Sequence, residues 1–168
     1  DATGYDTTYG AITDILQFVG GFSAACVILV AGKVWDWENN FYFGLMSRIL
    51  FVVACVQMLN GVAATATANS VFDSTFDVDQ VQAIGGATTW FQFVAFGLYG
   101  LSLLSVDNGK LPGWGRSVGY GFVVLVLGAQ LGALFGLIPA TLFVPIFVLG
   151  GVVLYPAFII SVGLTISK

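Results

Sequence analysis

The chain has 168 residues, 58% of them hydrophobic and 8% charged, with a mean hydropathy of +0.95 and a formal charge of −4. A soluble domain carries roughly a quarter charged residues, and a chain this short cannot hide so much apolar surface in its own core, so the composition excludes a globule surrounded by water and points to lipid. The absence of a basic stripe excludes nucleic acid as a partner, and the absence of His removes the usual general base, the commonest metal ligand and the usual haem ligand.

The sequence begins at Asp1, with no charged segment before the first apolar run, and a cleaved leader is the expectation. Five apolar stretches follow in chain order, at about 12–32, 45–68, 84–106, 117–138 and 141–166. Each is near the ~20 residues that a helix needs to cross a hydrocarbon core. Runs such as ILFVVACV (49–56) and FVVLVLGA (122–129) lack the period-two alternation of a membrane β-barrel strand. The expected fold is therefore all-α: one multi-pass domain over 1–168, a bundle of five transmembrane helices. Between the fourth and fifth spans only Pro139, Ala140 and Thr141 intervene, and Pro145 and Pro156 predict a bend in the fifth.

The loops predict orientation. With five spans, Lys33, Arg48, Lys110, Arg116 and Lys168 all fall on one side, and Asp1, Asp6, Asp73, Asp77 and Asp79 on the other. The positive-inside rule then places the N-terminus outside and the C-terminus inside, with the basic loops cytoplasmic or equivalent. Trp35, Trp37, Tyr42 and Trp114 are expected at the inner membrane interface. The acidic cluster at Asp73, Asp77 and Asp79 lacks the Gly turn and terminal Glu of a calcium loop, so it reads as a solvated segment. Cys26 and Cys55 read as free apolar thiols.

Polar residues within apolar spans are costly and face protein rather than lipid. Helices 1 to 4 carry one Gln each, at Gln17, Gln57, Gln92 and Gln130, and Asn60 accompanies Gln57. This amide layer has two readings. It is interhelical glue, or it lines a polar lane for a small solute. Uncharged amides cannot relay protons as carboxylates do. Small residues give a second signal. Gly121, Gly128, Gly132 and Gly136 predict a flat strip on the fourth helix that admits another helix, and Gly20, Gly21, Ala24 and Ala25 form a comparable strip on the first.

No nucleophile–base pair, phosphate-binding loop, CxxC or HExxH pattern is present. The expectation is a non-enzymatic protein with no catalytic residues and no metal site. It acts as a structural or accessory, oligomer-forming subunit of a membrane assembly, with lipid bound and either further copies or other membrane subunits as partners. A small channel or carrier built on the amide layer is the alternative. A pigment-binding subunit, with Gln or Asn replacing the missing His as ligand, is the third reading.

Overall fold

A computed structural model describes the backbone of residues 7–68 and 78–167. Every regular element among them is helical: α1 (Thr7–Val34), α2 (Phe41–Ala68), α3 (Val78–Ser105), α4 (Gly113–Leu134), α5 (Ala140–Phe147) and α6 (Tyr155–Ile166). A π-helical segment, Val148–Leu154, joins α5 to α6. Three stretches are long and apolar enough to cross a membrane: Phe41–Leu59, Gly113–Leu134 and Val148–Ile166. Phe18–Val34 and Phe91–Ser105 are shorter apolar helical stretches. The chain is thus a membrane-embedded helix bundle. Helices are the form this composition takes because lipid offers no partner to an unpaired backbone group.

Successive helices from α1 to α4 pack against one another, α4 packs against α5, the π segment and α6, and α1 returns to touch α6. The core takes side chains from every side of the bundle: Trp35, Phe43, Tyr99, Phe122, Phe158, Leu103 and Val162 are almost wholly buried. Aromatic rings dominate its centre. Tyr155 lies 4.6 Å from Phe96 and 5.4 Å from Phe122 between centroids, and Phe43 lies 5.8 Å from Tyr99. Large apolar side chains also cover the outside, as in Ile15, Leu16, Val52, Val124 and Leu134. That is the pattern expected where the solvent is as apolar as the core.

The helix ends follow local chemistry. At the end of α1 the Trp37 N–H donates to the Gly32 carbonyl at 2.9 Å, across Asp36 in the left-handed region at φ 54°. The Asn40 amide donates to the carbonyls of Trp35 and Asp36. Orphan carbonyls at the helix end are satisfied in this way. The end of α4 uses the same device. Leu137 N–H donates to Gly132 O at 2.7 Å and Gly136 N–H to Ala133 O at 3.1 Å, with Gly136 at φ 65°.

This ending corrects the expected fourth span. The helix runs over Gly113–Leu134 rather than 117–138, so Gly136 is not part of a helical strip. It is the left-handed residue that stops the helix, a conformation that glycine adopts without steric cost. The last apolar stretch is interrupted near its prolines. Pro145 lies inside α5, Pro156 opens α6, and the π segment separates them. Each proline removes a backbone donor, and a π segment is one way for a helix to absorb such a break.

Candidate functional site

Two groups of polar residues stand out, one at the helix ends and one along the apolar helices. The first centres on Asp107, which follows α3 and is 1% exposed. Its residue order makes it a turn. Asn108 and Gly109 both have positive φ, at 47° and 84°, and Lys110 N–H donates to Asp107 O at 3.0 Å. An Asn-Gly pair suits this turn because both residues tolerate the left-handed region.

The carboxylate then collects donors from three parts of the chain. Oδ2 accepts from Arg116 Nε at 3.0 Å, from Arg116 Nη2 at 2.8 Å and from Gly109 N–H at 3.3 Å. Oδ1 accepts from Leu111 N–H at 2.8 Å and from the Trp35 indole N–H at 3.4 Å. A buried carboxylate needs this many partners, since an unpaired buried charge is strongly destabilising. Lys110 completes the junction by donating to the Val34 carbonyl, with its ammonium 5.8 Å from the Trp35 ring. The α3–α4 connection is therefore fastened to the end of α1.

Sequence reasoning missed Asp107, although Asp-Asn-Gly followed by Pro112 and Arg116 is a legible turn with a cation nine residues on. It also did not place Trp35 in the core: that indole is buried beneath Asp107, where its N–H meets the carboxylate. Trp114 and Tyr42 are exposed, and Trp37 is half-buried with the Arg48 guanidinium 5.5 Å above its ring.

The second group is the amide layer. Gln92 Nε2 donates to Gln57 Oε1 at 2.8 Å, joining α3 to α2. Gln130 is 4% exposed, and its carbonyl oxygen has no hydrogen-bond partner among the described residues. The Tyr99 and Ser47 hydroxyls share that condition. The side chains of Asn60 and Gln17 lie outside the described residues, as do those of Asp14, Asp73, Asp77 and Asp79.

The glycines divide by neighbour. On α4, a Cβ built at Gly119 would lie 2.7 Å from the Phe158 ring, and one at Gly115 would collide with Ser161, so α6 fills both positions. Within the expected strip, Gly121 faces Leu154 at 3.3 Å, Gly132 is covered by Ile138 from the turn after the helix, and Gly128 has nothing within 4 Å. Gly97 and Gly100 on α3 receive Leu127 and Val123 of α4. A Cβ built at Gly21 on α1 would lie 2.8 Å from the Ala54 carbonyl of α2, while Gly20 faces open space. Cys26 and Cys55 are free thiols, the first exposed and the second half-buried. No group of three or more metal-ligating side chains occurs among the described residues.

Comparison with family models, with curated proteins and with solved structures finds no match to this chain.

Proposed function

We propose that this chain is a non-enzymatic, multi-pass structural subunit that forms oligomers or buttresses a larger membrane assembly. The observation that carries this reading is the Gln92–Gln57 hydrogen bond at 2.8 Å. Two of the strongest polar groups within the spans are engaged with each other across a helix seam, as glue would be, instead of lining a passage. The Asp107 carboxylate supports the same view, because five N–H donors from the end of α1, its own turn and α4 hold it in place as a structural fastening. Gly128, open on the outer face of α4 between exposed Val124 and Leu131, offers a close approach to a further helix.

The five-span topology, with the N-terminus outside and the C-terminus inside, belongs to this proposal. Cysteine-specific labelling at Ser74→Cys and Asn108→Cys, in a background without Cys26 and Cys55, tests it. Ser74→Cys reacts from outside and Asn108→Cys only after permeabilisation; outside labelling at 108 ends the five-span arrangement.

A channel or carrier is the second reading, favoured by the buried Gln130 carbonyl that no described residue satisfies. Flux of small neutral solutes into liposomes separates the two. The structural reading expects rates equal to those of empty liposomes, and a saturable flux lost in Gln130→Leu establishes the alternative.

A further inference from the structure

We propose that Gln92 is a two-position arm, whose amide exchanges between Gln57 on α2 and the carbonyl of Gln130 on α4, which no described residue satisfies. The register between α3 and α4 is set where Gly97 receives the Leu127 side chain. Counting along each helix toward the Gln-bearing end, Gln92 lies about 7.5 Å from the level of Gly97, and Gln130 about 4.5 Å from the level of Leu127. The two amides therefore stand within about 3 Å of one depth.

The direction of Gln130 follows from its neighbours one turn away. Leu127 touches Gly97 of α3, and Val126 lies against Gly150 of the π segment, 2.9 Å from the position of a Cβ there. Gln130 is three residues beyond the first and four beyond the second, so it faces the crevice between α3 and the last span. On α3, Phe93 borders the same crevice, 3.1 Å from a Cβ placed at Gly151, and Gln92 immediately precedes it.

Chemistry decides what Gln130 requires. The atom that no described residue satisfies is an acceptor, so a donor must come to it. At this depth lipid supplies none. The Gln92 amide carries two N–H groups and has three rotatable bonds with which to move them. Transfer breaks one amide–amide bond and forms another of the same kind, so the two arrangements are nearly balanced. The consequence is mechanical. Among the described residues α2 and α4 have no extended contact of their own, and the arm couples them through one side chain of α3. This inference does not depend on what the bundle assembles with.

Two measurements test it. The first is thermal unfolding in nanodiscs of Gln57→Leu, Gln130→Leu and the double variant. With the arm, each single change is cushioned because Gln92 bonds to the remaining amide, and the double variant loses more than the sum, by about 2 °C. Additive losses overturn the proposal. The second uses the wild-type chain with 15N-labelled glutamine side chains. The Gln92 amide shows exchange between two environments on the microsecond to millisecond scale. A single environment for the wild-type Gln92 amide overturns it even if a variant fails to fold.

Discussion

The two halves of α4 use glycine in opposite ways. In the half next to the Asp107 junction, Gly115 and Gly119 lie under α6, and Ser161 and the Phe158 ring take the space that their side chains would fill. In the far half, Gly128 meets nothing, Gly132 is covered by its own chain's Ile138, and Gly136 turns the backbone to end the helix. Nine residues separate Gly119 from Gly128, which puts them about 180° apart around the axis. The same residue type thus serves as a packing groove, an open notch and a stop signal. Which role it takes depends on where the neighbouring helix lies and where the helix ends, and spacing alone encodes neither.

This contrast predicts a gradient of sensitivity along the helix. The largest effect is expected at Arg116, in the junction half. Arg116→Ala leaves Asp107 buried without its cation and costs about 3 kcal/mol, the low end for a broken buried pair because Arg116 is itself 41% exposed. Thermal unfolding in detergent measures it, and a loss below about 1 kcal/mol would reduce the junction to an ordinary surface pair. Next comes Gly119→Leu, which drives a side chain into the Phe158 ring and costs about 2–3 kcal/mol as α6 is pushed away.

The far half answers more weakly. Gly136→Ala puts a Cβ on a left-handed residue and lowers stability by roughly 1–2 kcal/mol without changing any helix contact. Gly128→Leu has the smallest effect on the isolated chain, within about 0.5 kcal/mol, because it enters open space. Were Gly128→Leu as damaging as Gly119→Leu in the isolated chain, the distinction between the two halves would fail.

The sequence made the helices legible because the membrane permits little else. Apolar runs of the right length, with few charges inside them, carry that information directly. The Gln57–Gln92 contact was half legible: each amide marks a costly polar group, but choosing its partner requires the rotation of both helices. Trp35 and Asp107 were harder still. Seventy-two residues separate them, and their hydrogen bond exists only because the α3–α4 turn folds back over the end of α1. Nothing local to Trp35 says that its indole N–H meets a carboxylate. The 121–136 strip failed as a continuous surface for a local reason, since the left-handed turn at Gly136 ends the helix that would have carried it.

A bundle built to associate should do so through the open face at Gly128. Native mass spectrometry of the chain released from nanodiscs, wild type beside Gly128→Leu, reads assembly without reference to activity. The structural-subunit account predicts a wild-type mass above that of one 17.7 kDa chain and a folded single chain for the variant. A wild-type protein recovered as a single chain, with the variant indistinguishable from it, would contradict the account.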